Sequence, residues 1–156
     1  MHIRLLAVGD RQPAWVDSAF ETYARRLPRQ WRFALEVVGT AARRKNQAAD
    51  AAVADEGDRV LARIRPQEQV VVLDERGAEY SSTELAAALA DWQADGRDLA
   101  FLIGGPDGVS AACMARADSC WSLSRLTLPH GLARVLFAEQ IYRAWSLTTG
   151  HPYHRE

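Results

Sequence analysis

The sequence predicts an α/β fold: a mostly parallel sheet with helices on both faces. Three observations predict it. Strand-like apolar runs alternate with amphipathic helical stretches along the whole chain. Two of the runs, Val70-Val71-Val72-Leu73 and Leu99-Ala100-Phe101-Leu102-Ile103, are apolar throughout, the pattern of strands covered on both sides. Successive strands are joined through helices, as parallel neighbours require. The 156 residues suit a single domain, 1–156, with a sizeable core.

The elements follow in order. Residues 2–8 form an apolar strand that ends at Gly9. Residues 14–27 form an amphipathic helix stopped by Pro28, with Trp15, Ala19, Phe20, Tyr23 and Leu27 at helical spacing. Residues 31–38 give a second strand, 39–46 a polar loop, and 47–64 a helix closed by Pro66. Residues 70–73 are the first wholly apolar strand. Ser81-Ser82-Thr83-Glu84 caps a helix that runs to Asp95. The strand 99–103 leads into a Gly-rich turn, a short helix and a strand near Trp121-Ser122-Leu123. A last helix runs from Leu132 to Thr148, with Gly150 as its stop and Pro152 beyond. Its Leu132, Val135, Leu136, Phe137, Ile141, Tyr142, Trp145 and Leu147 exceed one apolar stripe, which predicts a second buried face against a partner subunit.

Composition narrows the function. No apolar run approaches the ~18 residues of a membrane helix. The start, Met1-His2-Ile3-Arg4-Leu5, lacks a signal-peptide layout, so the expected location is cytoplasmic. Cys113 and Cys120 fit neither a redox pair nor a zinc knuckle, and no metal is expected. The net charge of −1 does not announce a nucleic-acid binder. Its distribution is uneven: residues 1–45 carry nine basic and four acidic groups, 46–115 five and thirteen, 116–156 five and three. Both ends are therefore basic, and one basic face is possible, with Arg25, Arg26 and Arg29 as contributors or merely as a solvated helix face.

In open α/β sheets ligands bind beyond the carboxyl ends of the strands. This directs attention to the segments after Leu73, Ile103 and Leu123. Gly104-Gly105-Pro106-Asp107-Gly108 can be a bare tight turn or a loop that lets a ligand approach backbone. It is neither a dinucleotide fingerprint nor a P-loop. Gly108-Val109-Ser110-Ala111-Ala112 has the outline of a nucleophile elbow, but Ser110 stands where a helix cap belongs. Leu123-Ser124-Arg125-Leu126-Thr127-Leu128-Pro129-His130 reads as an apolar loop, which must bury its side chains while its backbone groups find partners. Glu139 and Arg143 form an i,i+4 pair. The tail, His151-Pro152-Tyr153-His154-Arg155-Glu156, offers groups that stack on bases, bind phosphate and move protons.

Together, 101–108, 123–130, Tyr142-Arg143-Ala144-Trp145 and the closing 151–156 resemble the ribosomal RNA large-subunit methyltransferase H family of the SPOUT methyltransferases. Ala7-Val8-Gly9, Pro13-Ala14-Trp15-Val16 and Tyr23-Ala24-Arg25-Arg26-Leu27 fit as well, so the resemblance spans the chain. It implies a C-terminal trefoil knot, a homodimer, and S-adenosylmethionine as donor for the N3 atom of a pseudouridine in large-subunit rRNA, presented by the assembled ribosome. The implied donor-binding residues are Leu73, Gly104, Leu123, Ser124, Arg125, Leu126, Thr127 and Leu128. The implied residues near the acceptor are Tyr153, His154 and Arg155, and Arg143 is a further candidate. In that scheme His154 moves the N3 proton, Arg155 or Arg143 stabilises the resulting anion, and Tyr153 positions the base. A serine hydrolase using Ser110 and a non-catalytic ribosome-binding factor are the alternative readings.

Overall fold

The computed structural model describes residues 1–45 and 48–155. Asn46, Gln47 and Glu156 lie outside the described residues. With them fall the end of the expected 39–46 loop, the start of the expected 47–64 helix and the last residue of the tail motif.

Five strands are described: β1 (Ile3–Val8), β2 (Ala34–Val38), β3 (Gln69–Glu79), β4 (Leu99–Ile103) and β5 (Ser119–Ser122). They form one sheet in the order β2-β1-β4-β3-β5, and every pair is parallel. The helices are α1 (Ala14–Ala24), α2 (Ala49–Leu61), α3 (Ser82–Asp95), α4 (Ala111–Arg116) and α5 (His130–Thr149). The α/β parallel architecture is thus the one the alternating pattern predicts.

Side chains of a strand alternate between faces, and the core divides accordingly. Ile3, Leu5, Val71, Leu73, Leu99, Phe101 and Ile103 pack with residues of α1, α3 and α5. Leu6, Val8, Val70, Val72, Ala100 and Leu102 pack on the other side with residues of α2 and α4. All residues of β1 and β4 are buried, which is why their sequences carry no polar alternation except Arg4. Arg4 is accommodated by two carboxylates: its Nη2 meets Glu68 Oε2 at 2.7 Å and its Nη1 meets Glu36 Oε1 at 2.8 Å.

Several boundaries differ from expectation, each for a local reason. Trp31 does not begin β2. It closes a short 3-10 turn, Arg29–Trp31, followed by Arg32 at φ 44°, a left-handed residue that a continuous strand cannot contain. α1 ends at Ala24 rather than Leu27, though Leu27 is still buried. Val16 and Phe20 supply its buried stripe, and Trp15 points outward at 54% exposure. β3 extends well past Leu73, and its register against β5 shifts between Leu73 and Ala78. Polar Asp74-Glu75-Arg76 lie at that shift, within β3. α5 starts at His130, two residues before the expected Leu132, with Pro129 at its N-cap.

Candidate active site

A cleft of about 880 Å³ opens beyond the carboxyl ends of β1, β4, β3 and β5. One wall is Leu73, Gly104, Leu123, Ser124, Leu126, Thr127 and Leu128. The three strand-end segments singled out by the sequence therefore converge on one space. Arg125 is the exception. It does not line the cleft; its side chain is 86% exposed and its Nε lies 3.6 Å from Glu79 Oε1. The chain bends at Arg125 and Leu126, and Ser124 and Leu126 line the cleft while Arg125 stays in solvent.

Local chemistry holds this wall. Ser122 Oγ donates to the Ser124 carbonyl at 3.0 Å, and the Leu126 N–H donates to Ser124 Oγ at 2.9 Å. The loop was expected to bury its side chains, yet Leu126 is 75% exposed. These short serine bonds let the loop stand at the rim without packing every side chain. The glycine turn is compact: a Cβ on Gly104 would lie 2.6 Å from the carbonyl carbon and oxygen of Gly108. Gly108 itself has φ 92°, which favours glycine. Glycine is thus required where the turn folds on itself at the cleft.

The opposite wall is Gly9, Asp10, Gln12, Thr40 and His130. Its rim is fastened by Arg43, whose Nη2 lies 3.0 Å from Asp107 Oδ2 and whose Nη1 also meets buried Glu56. Beneath this wall lies Arg134, 1% exposed. Its Nε and Nη2, and His130 Nε2, have no hydrogen-bond partner among the described residues. Burial pushes the His130 pKa down and adjacent Arg134 adds to this, opposed by the Gly104 carbonyl. Burial likewise lowers the Arg134 pKa. Sequence reading missed this pair. The available signal was spacing: Arg134 falls three, four and seven residues before Phe137, Ala138 and Ile141, on the same buried stripe.

The tail gathers elsewhere. Residues Pro152–Arg155 form a 3-10 turn folded back on α5. The Tyr153 hydroxyl donates to Glu139 Oε1 at 2.9 Å, and its ring lies under Arg143, 5.1 Å from centroid to guanidinium carbon. Burial and then the Glu139 carboxylate raise the phenol pKa. His154 is half-buried with Nδ1 unpartnered, and Arg155 is exposed. Arg26 lies over the Tyr142 ring, while Arg25 pairs with Glu21 on the solvated face. None of Arg143, Tyr153, His154 or Arg155 lines the cleft of its own chain. The structure ties Tyr153 to Arg143 through Glu139 but brings none of these residues to the cleft.

Ser110 is an N-cap: its Oγ accepts from the Cys113 N–H at 3.1 Å, and it is 7% exposed. Among the described residues no group of three or more His, Cys, Asp or Glu could hold a metal ion. No described helix is long and apolar enough to cross a membrane.

A parallel sheet whose carboxyl edge carries a glycine turn and an apolar loop around one cleft defines an α/β protein of the ligand-binding class. Comparison with known proteins gives that class its name. The family model described as "Predicted SPOUT methyltransferase" matches residues 1–154, and the chain belongs to the SPOUT methyltransferases. Its similar relatives narrow this further. It is 52% identical over 156 residues to the Ribosomal RNA large subunit methyltransferase H of Thioalkalivibrio sulfidiphilus, covering 100% of both chains. It is 49% identical to that of Methylococcus capsulatus and 48% identical to that of Saccharophagus degradans, in each case over 99% of this chain and 100% of the relative.

Proposed function

We propose that this chain, as a cytoplasmic homodimer, methylates the N3 atom of a pseudouridine in large-subunit rRNA within the assembled ribosome, with S-adenosylmethionine as donor. The observation that carries the reading is the convergence of Leu73, Gly104 and the 123–128 loop on one cleft. Relatives named as rRNA methyltransferases over their full length support it.

The residues present fit the donor. Leu73, Ile103, Leu123 and Leu128 offer an apolar slot, and the glycine turn brings main-chain groups to its edge, where an adenine edge can be read without a charged side chain. Exposed Leu126 is a side chain that a flat heteroaromatic ring would cover. S-adenosylmethionine supplies an activated methyl group when bound. The chain supplies alignment of the acceptor and exclusion of water. In our reading Tyr153 positions the base, His154 accepts or relays the N3 proton, and Arg155 or Arg143 faces the negative charge that the base acquires.

Subunit pairing completes the site. Glu139, which holds Tyr153, lies nine residues beyond His130 on the same helix. That is about two and a half turns, so the tail anchor and the cleft face opposite sides of α5. A tail from the partner subunit, laid over the cleft, removes the conflict. The trefoil knot implied by the family belongs to the same reading.

Two experiments test it. Undermodified ribosomes incubated with labelled donor should acquire label at a single pseudouridine; association without transfer would favour a ribosome-binding factor instead. Mixing a variant dead in the cleft with one dead in the tail should restore activity in the mixed dimer. No recovery would exclude the composite site.

A further inference from the structure

Arg4, Arg43, Arg59, Arg76, Arg97 and Arg116 are each engaged by a carboxylate. In the segment that joins α1 to β2 the pattern reverses. Arg25, Arg26, Arg29 and Arg32 follow one another closely there, and all four are exposed. Arg25 has an acidic partner, Glu21. Among the described residues Arg26, Arg29 and Arg32 pair with no carboxylate. The backbone gathers them. Leu27 and Trp31 are 4% and 3% exposed and pin the segment to the core. Main-chain bonds from Arg26 to Tyr23, from Trp31 to Pro28 and from Arg32 to Arg29 wind it tightly between those anchors. Cations held so close repel one another, and without an acid beside them they give the fold nothing in return. A positive patch of this kind is complementary to an anionic partner.

The patch is continuous with the tail. The guanidinium carbon of Arg26 lies 5.7 Å from the centroid of the Tyr142 ring. That ring in turn meets Tyr153 at 4.6 Å and Trp145 at 5.7 Å, and Trp145 meets His151 at 5.9 Å, centroid to centroid. Trp145 and Tyr153 are half-buried and His151 is exposed. A row of cations thus runs into a group of aromatic rings on one subunit.

We propose that Arg26, Arg29 and Arg32 form the docking surface for the phosphate backbone of the RNA strand that carries the target nucleotide. This rests on the reading of the tail as the acceptor side of the site. Guanidinium forks grip phosphate oxygens in pairs, and rings beside them suit the unpaired bases of an RNA loop. Turn and tail belong to the same subunit, while the tail serves the partner's cleft. The strand is therefore held by the subunit that lends the tail, not by the one that holds the donor. A second copy of the chain fits the turn poorly, because a two-fold contact centred there sets arginine against arginine.

The test is steady-state methylation of undermodified ribosomes by the full chain at several salt concentrations, with thermal melts to check folding. Arg29→Gln and Arg32→Gln together should raise the KM for ribosomes roughly tenfold. The slope of log KM against log salt should lessen by about one for each arginine removed. The kcat at saturating ribosomes and the calorimetric affinity for S-adenosylmethionine should not change. Adding Arg26→Gln should raise KM further, and Arg29→Lys with Arg32→Lys should restore both KM and slope. In mixed dimers with one working site, KM should respond to these substitutions in the tail-lending chain and not in the other. An unchanged KM and slope overturns the proposal, as does a response confined to the chain that holds the donor. A loss of dimer in sedimentation also overturns it, because the turn is then a subunit interface. A wild-type protein that transfers no methyl group overturns the proposed function instead. Sedimentation with ribosomes then decides the docking surface: salt-dependent binding weakened by the Gln variants supports it, and binding indifferent to them overturns it.

Discussion

The hydroxyl of Tyr153 donates to Glu139 Oε1 at 2.9 Å, and Arg143 Nε donates to the same oxygen at 3.0 Å. One carboxylate thus sets both the tail and the nearest guanidinium. Glu139→Ala should release both. Methyl transfer to ribosomes should fall on the order of a hundredfold, the cost of a small misplacement of a reacting group, with donor affinity unchanged in calorimetry. Equal losses of both would mean that Glu139 supports the fold rather than the tail.

The raised phenol pKa of Tyr153 has a consequence at high pH. In the unfolded chain the phenol ionises near its ordinary value of about 10, while the folded chain keeps its proton. Above that pH the folded state binds more protons, so stability is lost as pH rises. Thermal melts should fall more steeply there for wild type than for Tyr153→Phe. Parallel curves would show that the shift is not present in solution.

Gly104→Ala places a methyl group 2.6 Å from the Gly108 backbone. Backbone cannot yield as a flexible side chain does, so the turn must open. The variant should stay folded by circular dichroism and show no measurable donor uptake. Retained uptake would place the donor elsewhere.

Ser110→Ala removes the α4 cap and should cost about 1 kcal/mol of stability, read by urea unfolding. Methyl transfer should persist, and wild type should not react with a fluorophosphonate probe. Labelling at Ser110 would revive the hydrolase reading.

Glu68 is 2% exposed and sits in a bidentate pair with Arg4. Glu68→Ala should cost about 1–3 kcal/mol, because Arg4 loses its bidentate partner but keeps Glu36 and the Arg63 carbonyl. Replacing both partners by apolar residues should recover most of that. A small effect of the single change would show that water reaches Arg4.

The parts of the fold legible in sequence were those governed by burial on both faces. Val70–Leu73 and Leu99–Ile103 have no polar residue to confuse the period, and their ends located the cleft. Polar segments were less legible. Asp74–Glu79 continue β3 only because a bulge realigns them with β5, a tertiary event without a local signature. Arg32 in the left-handed region ended the expected strand early, and nothing in its side chain announces that. Arg125 was grouped with its neighbours, although the bend at Arg125 and Leu126 leaves it in solvent. Arg134 reads as surface charge until its place on the Phe137–Ile141 stripe is noticed. The tail residues were legible as a cluster, but their distance from the cleft depends on how the chain folds back on α5.

Arg43 joins the loop after β2 to α2 and to the glycine turn through Glu56 and Asp107. Its two arms respond differently to dissolved ions: the Glu56 partner is buried, the Asp107 partner 41% exposed, and only the exposed arm is strongly screened. Ionic strength then acts on this protein in two senses. It frees one side of the cleft mouth, and it weakens the pull of Arg side chains on RNA phosphate. Both effects oppose methyl transfer, so turnover should decline steadily as salt concentration rises.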